Sequence, residues 1–420
     1  MEKTFELHET TPDTADHCIA CTCCIANCPV TEATRAFAGP KLTGPAHSRM
    51  KFAEDDIERS LEYCSNCKNC EITCPSGVRV ATLNMLQRGE YYRTHKHSQR
   101  DDMLAHGERM AKLVRSLPFG ATCANIGMKI GKALGVFAAV DDAVPAAALA
   151  AVGIAGERDM PAFAPDSFYS IFAKMEQKPS EKKVVFYPGC YINDYEPEIG
   201  RAFINVMQKN GYEVITDKSF ICCGAPMVAS GYLDEAHENA KKNAERILAW
   251  KAKGIPVVAC CTSCSLMLKS EYHELFEDPE MREISSGIYD AFEFLDIMEE
   301  RGELSEDFAP IERRFSYHAP CHLRAQGIGL PSFNFLQRIP GLSIENLAAG
   351  CCGMSGSFGF KGDKYEISMK VGEKVFERIA EVGADTVVSD CGTCRLQIRH
   401  GSGKATCHPI EILAQAYGYK

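Results

Sequence analysis

The stretch Cys18-Ile19-Ala20-Cys21-Thr22-Cys23-Cys24-Ile25-Ala26-Asn27-Cys28-Pro29 decides how the first part of this chain folds. The same cysteine spacing returns 46 residues later in Cys64-Ser65-Asn66-Cys67-Lys68-Asn69-Cys70-Glu71-Ile72-Thr73-Cys74-Pro75. In each copy, three cysteines stand two residues apart, a fourth follows after three more residues, and a proline ends the run. One cysteine motif has therefore been used twice.

This spacing is typical of thiolate ligands to iron–sulfur clusters. In such runs the first three cysteines hold one [4Fe–4S] cubane, and the fourth ligates the other cluster. We therefore predict two crossed ligand sets, Cys18, Cys21, Cys24 and Cys74 for one cluster and Cys64, Cys67, Cys70 and Cys28 for the other. Structural zinc is the alternative, but its cysteine pairs are usually separated by a longer loop.

The composition limits the possible classes of protein. The 420 residues are 45% apolar and 24% charged, which is enough for two or three domains with their own cores. A net charge of −10 provides no basic field to hold nucleic acid. The 22 cysteines, with no secretory signal, predict a cytoplasmic protein whose thiols bind metal. Asp141, Asp142 and Pro145 interrupt the stretch 133–155, so we expect no membrane-spanning helix.

A second cysteine pattern follows, also in two copies. Each copy has one cysteine, then Cys-Cys-Gly, then two cysteines separated by two residues. The ligands predicted from it are Cys190, Cys222, Cys223, Cys261 and Cys264 in the first copy and Cys321, Cys351, Cys352, Cys391 and Cys394 in the second. Five thiolates exceed what a zinc ion or one cubane requires. We predict one or two further iron–sulfur clusters here, with buried structural cysteines or a redox disulfide as the alternatives.

The other cysteines are Cys23, Cys123, Cys260 and Cys407, and we predict that none of them is a ligand. The sequence contains no flavin or NAD fingerprint. We predict no catalytic residue. Two histidines beside Cys321, namely His318 and His322, could hydrogen-bond to cluster sulfur or carry a proton, and a structural role fits them equally well.

Strands and helices alternate around the second pattern. Apolar runs at 184–187, 212–215 and 256–259 alternate with helical patterns at 198–209 and 233–253, and the runs at 315–317, 342–347 and 386–389, with a helix at 365–381, repeat that order. The order predicts parallel α/β units whose cysteines lie at the carboxyl ends of the strands. We expect an α+β fold overall.

The predicted domains follow from these patterns. A two-cluster [4Fe–4S] ferredoxin-like domain covers 1–99, a helical linker 100–180, and two Cys-Cys-Gly domains 181–308 and 309–420. In the linker, Ile126, Ile130, Leu134 and Phe137 share one helix face. Such a face either packs in a core or docks on a membrane surface.

The combined pattern resembles the iron–sulfur subunit of anaerobic glycerol-3-phosphate dehydrogenase over nearly the whole chain. The resemblance rests on Gly39-Pro40-Lys41, the second ferredoxin motif with Tyr63, Pro188-Gly189-Cys190, Tyr317-His318-Ala319-Pro320-Cys321-His322, Cys351-Cys352-Gly353 with Gly356, and Asp390-Cys391-Gly392-Thr393-Cys394. It implies a protein that takes electrons from flavin-containing dehydrogenase subunits and passes them toward membrane quinone in anaerobic respiration. It also implies peripheral attachment to the inner face of the cell membrane.

The later repeats are also similar to the Cys-Cys-Gly subunit of heterodisulfide reductase, which implies non-cubane [4Fe–4S] clusters in the Cys-Cys-Gly domains. Two alternatives stay open for the whole chain: a heterodisulfide-reductase-type subunit, or the iron–sulfur subunit of a glycolate or lactate oxidase. Direct reduction of a quinone or disulfide at the Cys-Cys-Gly domains is a further hypothesis, and a redox sensor is another.

Overall fold

A computed structural model describes residues 12–51, 53, 56–117, 120–122, 124–125 and 153–419. Two four-stranded parallel sheets form the second half of the chain, and short helices form the N-terminal part. The strands are β1 (Lys183–Tyr187), β2 (Glu213–Thr216), β3 (Val257–Ala259), β4 (Ile288–Asp290), β5 (Arg313–Tyr317), β6 (Leu342–Asn346), β7 (Thr386–Val388) and β8 (Ala405–Cys407). The predicted α+β class is confirmed.

The helices alternate with the strands in the second half of the chain. They are Cys23–Ala26, Pro29–Ala33, His47–Met50, Asn69–Ile72, Val80–Thr94, Gln99–Ala105, Gly107–Ser116, Phe168–Phe172, Gly189–Asp194, Pro197–Lys209, Ala225–Ala229, Leu233–Lys251, Thr262–Leu266, Tyr272–Leu275, Pro279–Glu283, Ala291–Glu300, Cys321–Ala325, Pro331–Leu336, Tyr365–Val382, Gly392–Ser402 and Pro409–Ala416. Short 3-10 and π segments connect several of them.

The two sheets have the same topology. Their strand orders are β2-β1-β3-β4 and β6-β5-β7-β8, and every pairing is parallel. Val185 stands opposite Val257 in the first sheet, and Phe315 stands opposite Thr386 in the second. Because helices cover both faces, the central strands are nearly continuous apolar runs. The predicted duplication is therefore a duplication of structure.

The predicted strands appear within one or two residues of their expected bounds. The fourth strand of each sheet, β4 and β8, was not predicted, because three residues of mixed polarity carry no periodic signal. The helix Leu233–Lys251 confirms the amphipathic pattern, with Ala236, Ala240 and Ile247 fully buried.

The described part of the predicted linker contains the helices Gln99–Ala105, Gly107–Ser116 and Phe168–Phe172, with one isolated bridge between Ile154 and Lys361. The predicted amphipathic face at 126–137, like Cys123, lies outside the described residues. The domain boundaries stay predictions.

The two Cys-Cys-Gly domains share a hydrophobic core. The C-terminal helix Pro409–Ala416 packs on the helix Pro197–Lys209 of the first domain, where Ile410 and Leu413 join the same buried cluster as Phe203. The ferredoxin-like part is attached to this body by Arg88, whose guanidinium donates to the carbonyls of Leu61 at 2.8 Å and Cys64 at 3.1 Å, and to Ala229 at 2.6 Å.

Candidate iron–sulfur sites

The structure brings Cys18, Cys21, Cys24 and Cys74 to one pocket near the surface. They line it together with Cys23 and Lys41. Cys24 is buried, Cys18 and Cys74 are half-buried, and Cys21 is exposed. Four thiols from both copies of the motif thus meet in the crossed arrangement that the sequence predicts, and the surplus thiol of Cys23 stands beside them.

The complementary group, Cys28, Cys64, Cys67 and Cys70, lies deeper in the protein. Burial raises the pKa of Cys67, and the nearby Cys351, Cys28 and Cys64 raise it further. Burial also raises the pKa of Cys70, where Cys67, Cys64 and Cys28 are again neighbours. Asn84 donates its side-chain amide to Cys64 Sγ at 3.3 Å, which is a hydrogen bond of the kind that tunes cluster potentials.

The same backbone turns place the thiols in both copies of the motif. Ala20 and Asn66 have φ of 57° and 55°, and Thr22 and Lys68 have φ of 65° and 61°. These are left-handed conformations at non-glycine residues, which are uncommon. They occur at equivalent positions between the cysteines, so each copy bends its backbone in the same way to point three thiols at a common centre. The cysteine spacing alone did not indicate these turns.

In the first Cys-Cys-Gly domain, the five predicted cysteines meet at the carboxyl end of the sheet. Cys190 follows β1, and its Sγ lies 3.9 Å from Cys222 Sγ. Cys223 Sγ lies 3.6 Å from Cys264 Sγ. Hydrogen bonds from Cys190 and Cys223 hold the pKa of Cys222 well below its usual value, which favours the thiolate form that metals bind.

The second domain repeats this arrangement around β5 and β7. Cys352 Sγ lies 3.3 Å from Cys394 Sγ, and a hydrogen bond from Cys321 holds the pKa of Cys351 well below normal. A hydrogen bond from Cys394 lowers the pKa of Cys391 to about 5. All five cysteines are buried here, whereas Cys190 and Cys261 of the first domain are only half-buried.

The glycine after each cysteine pair has a positive φ. Gly224 has φ of 86° and Gly353 has φ of 93°. A side chain at Gly353 would collide with the Ser368 carbonyl, while a Cβ at Gly224 would lie 3.2 Å from the Cβ of Ala236. The second pair is therefore packed more tightly against its neighbouring helix than the first.

The two histidines of the Tyr317–His322 motif face different surroundings. His322 Nε2 lies 3.2 Å from the Asn66 carbonyl and its Nδ1 lies 2.8 Å from Ser263 Oγ. Since a carbonyl only accepts, Nε2 donates to it and Nδ1 accepts from the hydroxyl. His322 therefore connects the ferredoxin-like part with both Cys-Cys-Gly domains. His318 points instead toward Cys352 and Cys394, and burial lowers its pKa to about 4.

The donor sets suit iron–sulfur clusters. Each N-terminal group offers four thiols and each Cys-Cys-Gly domain offers five, and soft thiolate donors select such clusters or zinc. Cys260 and Cys407, predicted as non-ligands, lie elsewhere: the carbonyl of Cys260 accepts from His408 at 2.9 Å, and burial raises the pKa of Cys407 to about 12. The assignment of individual cysteines as ligands stays a prediction.

Comparison with known families supports these assignments at the level of domains. Residues 14–78 match the 4Fe-4S dicluster domain, and residues 184–269 and 315–399 each match the cysteine-rich domain that bears the Cys-Cys-Gly motif. The fold and the sites together define an iron–sulfur protein with one dicluster domain and two cysteine-rich domains.

A relative that matches nearly the whole chain identifies the family within this class of iron–sulfur proteins. The chain is 32% identical over 405 residues to the corresponding subunit of anaerobic glycerol-3-phosphate dehydrogenase from Escherichia coli K12, covering 96% of this chain and 98% of the relative. It therefore belongs to that family, as an iron–sulfur electron-transfer subunit.

More distant relatives also match most of this chain. A subunit of the fumarate reductase (CoM/CoB) of Methanothermobacter marburgensis is 24% identical over 407 residues, covering 94% of this chain and 70% of the relative. The probable glycolate oxidase iron-sulfur subunit of Bacillus subtilis is 26% identical over 438 residues, covering 96% and 94%. Among the described residues, no helix is long and apolar enough to cross a membrane.

Proposed function

We propose that this chain carries single electrons from flavin-containing dehydrogenase subunits, during oxidation of glycerol 3-phosphate, toward membrane quinone. Bound through the eighteen predicted cysteines, two cubane [4Fe–4S] clusters and one or two non-cubane [4Fe–4S] clusters would supply one-electron redox chemistry. The observation that carries the proposal is the arrangement of the four thiol groups as a continuous series through the molecule.

The first step of the series lies in the N-terminal part. The group around Cys21 is at the surface, with Ile19 beside it 68% exposed, so a partner subunit has access to it. The second group is reached through the crossed motif, because Cys24 and Cys70 belong to one buried cluster of side chains. The first thiol group is therefore accessible to a partner, and the second thiol group of this domain is buried.

The next step joins the ferredoxin-like part to the second Cys-Cys-Gly domain. Burial raises the pKa of Cys67, and the charge of Cys351 raises it further. A hydrogen bond to Cys351 and burial raise the pKa of Cys321, and the charge of Cys67 adds to that shift. The helix Asn69–Ile72, which carries Cys70, packs on the helix Cys321–Ala325. The two thiol groups are therefore immediate neighbours in space.

The last step joins the two Cys-Cys-Gly domains. The helix Cys321–Ala325 also packs on Thr262–Leu266 of the first domain. A hydrogen bond from Cys264 lowers the pKa of Cys261, while burial and the charge of Cys391 oppose that shift. The Tyr191 hydroxyl donates to the Gly392 carbonyl at 3.4 Å. The series therefore continues from the second domain to the first without an intervening structural element.

The metal content tests the clusters. Anaerobically purified protein is expected to contain iron and acid-labile sulfide and little zinc. The variant Cys67→Ser is expected to lose the iron of one cubane. Cys260→Ser, which changes an equally buried cysteine outside the four groups, serves as the matched control and should keep the full iron content. Zinc in place of iron would overturn the proposal.

Anaerobic affinity purification from native cells, followed by mass spectrometry, tests the partner. A co-purifying flavoprotein glycerol-3-phosphate dehydrogenase is the expected result. Subunits of heterodisulfide reductase would instead favour the alternative that the complete five-cysteine sets suggest. A glycolate or lactate oxidase would favour the alternative to which the Bacillus subtilis relative points. Either result would keep the electron-transfer role and replace the substrate.

Attachment to the inner face of the membrane is part of the proposal. The predicted amphipathic face around Ile130 is the candidate surface. Wild-type protein is expected in the membrane fraction, and Ile130→Glu is expected to move it to the soluble fraction while leaving its iron content unchanged. Equal fractionation of the two proteins would show that this face does not dock on the membrane.

A further inference from the structure

The buried nitrogen of His318 has no hydrogen-bond partner. His318 follows directly after β5 and is 2% exposed. Its backbone N–H donates to the Val388 carbonyl at 2.9 Å, which fixes the start of its side chain against β7. Its Nε2, however, is buried and has no hydrogen-bond partner among the described residues. An unpaired buried polar atom destabilises the fold, so this nitrogen calls for a partner that the protein alone does not supply.

The surroundings of this nitrogen indicate what the partner is. A ring nitrogen of His318, Cys352 Sγ and Cys394 Sγ all lie within 4.8 Å of one another, and they are the only such group of three donors in the part of the chain that the structure describes. Metal bonds of about 2.3 Å to sulfur and about 2.0–2.1 Å to nitrogen hold the donors of one ion about 3.5–4 Å apart. The three donors therefore lie close enough together to reach a single metal ion.

The first domain lacks this donor. There, Pro188 follows β1 at the position that His318 occupies after β5. A proline offers no side-chain nitrogen. The two domains, which have five matching cysteines, therefore differ by one imidazole aimed at the thiols.

We propose that His318 is a sixth protein ligand of the second Cys-Cys-Gly domain, bound through Nε2 to the iron that Cys352 and Cys394 hold. The inference rests on the proposed function, since it requires an iron–sulfur cluster in this domain. Replacing thiolate by imidazole on an iron raises its reduction potential, as in Rieske centres. Exchange of His318 for a thiolate ligand should therefore lower the potential of the second domain.

Pulsed EPR with labelled histidine tests the ligand directly. The holoprotein is prepared with ¹⁴N- or ¹⁵N-histidine in a Cys223→Ser background, which removes the signal of the first domain. The wild-type His318 protein is expected to show a histidine nitrogen coupling of the size that a directly bonded nitrogen gives. The variant His318→Ala should lose it. His322→Ala is the matched control, since it removes a histidine of the same motif, and should keep the coupling.

If His318→Ala does not assemble its cluster, the labelled protein with intact His318 is sufficient to show whether a histidine nitrogen is bonded to the iron. A signal from the second domain without a strong histidine coupling overturns the inference, as does a coupling that persists in His318→Ala. A weak coupling, typical of a hydrogen bond to cluster sulfur, also overturns it. If the second domain gives no iron–sulfur signal and contains no iron, the proposed function itself fails for this domain.

The reduction potential provides an independent readout. His318→Cys replaces the imidazole with a thiolate, and a redox titration followed by EPR is expected to show a lower potential for the second domain only. His322→Ala should leave that potential in place. An unchanged potential in His318→Cys would contradict ligation, because only a histidine that binds the iron sets the reduction potential in this way.

Discussion

The two Cys-Cys-Gly domains have the same strands, the same five cysteines and the same left-handed glycine, yet their surroundings differ. In the first domain Cys222 stands near His106 and Glu108 of the preceding helices. In the second, Cys351 stands beside Cys67 of the ferredoxin-like part. The second group is fully buried and has the extra nitrogen of His318. The two copies of one scaffold thus differ in their surroundings, one internal and one nearer the outside.

Removing one thiol from each domain should have the largest effect. Cys352→Ser and Cys223→Ser are each expected to lose the iron and the EPR signal of their own domain, because a serine cannot replace a bridging or terminal thiolate well. Electron delivery to quinone should fall by more than about ten-fold. Substitution of a residue that only supports a metal ligand already costs about that much, and here the ligand itself is removed. Iron analysis and EPR on both variants measure this, with Cys407→Ser as control. Loss of both signals in either variant would show that the two domains assemble as one unit.

Replacing the glycine after each cysteine pair with alanine should destabilise the two domains to different extents, because the two glycines are packed differently. At Gly224 the left-handed φ costs about 1–2 kcal/mol, and the new methyl group would lie 3.2 Å from the Cβ of Ala236, a side-chain contact that a small shift can relieve. At Gly353 the new methyl group also meets the backbone carbonyl of Ser368. We expect Gly224→Ala to lower the thermal midpoint slightly and Gly353→Ala to yield little folded protein. Equal midpoints for the two variants would contradict the tighter packing of the second pair.

The ion pair between the two domains should contribute less. Arg395 is buried, pairs with Glu196 across the domain boundary and donates to the Ser389 carbonyl at 2.6 Å. Glu196→Gln leaves the guanidinium charge buried without its counter-ion and is expected to cost about 1–3 kcal/mol in the free energy of unfolding. The matched control is Glu198→Gln on the same helix, whose exposed pair with Arg201 should contribute almost nothing. Denaturant unfolding of both variants measures the difference.

The smallest expected effect is a pH dependence of stability, caused by Asp290 at the boundary between the two Cys-Cys-Gly domains. Burial raises the pKa of Asp290 to about 7, with the facing Asp390 and the nearby Glu293 adding to the shift, while Ser265 and the Phe292 N–H donate to it. Since an unfolded aspartate has a pKa of about 3.9, the native protein binds an extra proton between about pH 4 and pH 7. Its stability must therefore fall as the pH rises through that range.

The variant Asp290→Asn should flatten this pH dependence. Asparagine keeps the N-cap of the helix Ala291–Glu300 but has no proton to lose. Thermal midpoints of both proteins at pH 5, 6 and 7 test this expectation. Parallel slopes in the variant and the wild type would show that Asp290 does not titrate in this range.

Much of the fold could be predicted because its signals are local. The ferredoxin motif places its thiols within twelve residues, and the apolar runs of β1 and β5 end directly at cysteines. The crossed arrangement of Cys28 and Cys74 was predictable from the spacing as well, since the fourth cysteine of such a run ligates the other cluster.

The rest depends on contacts between distant segments. Cys67 and Cys351 have no sequence pattern that connects them, and their proximity results from the packing of Asn69–Ile72 on Cys321–Ala325. In the sequence, His318 and His322 are also equivalent candidates. The structure distinguishes them, because the latter is held by Asn66 and Ser263 of two other segments while the former faces the thiols.

The crossed thiol groups also constrain the order in which the protein can mature. While the ribosome has made only the first motif, the surface group lacks Cys74, and Cys28 belongs to a group whose other three members do not yet exist. Neither group is complete until the chain has been synthesised past Cys74. Under the ligand sets that we propose, the two halves of the repeat cannot be loaded one after the other during translation, and a nascent chain that ends before Cys74 has no complete set of thiols with which to capture iron.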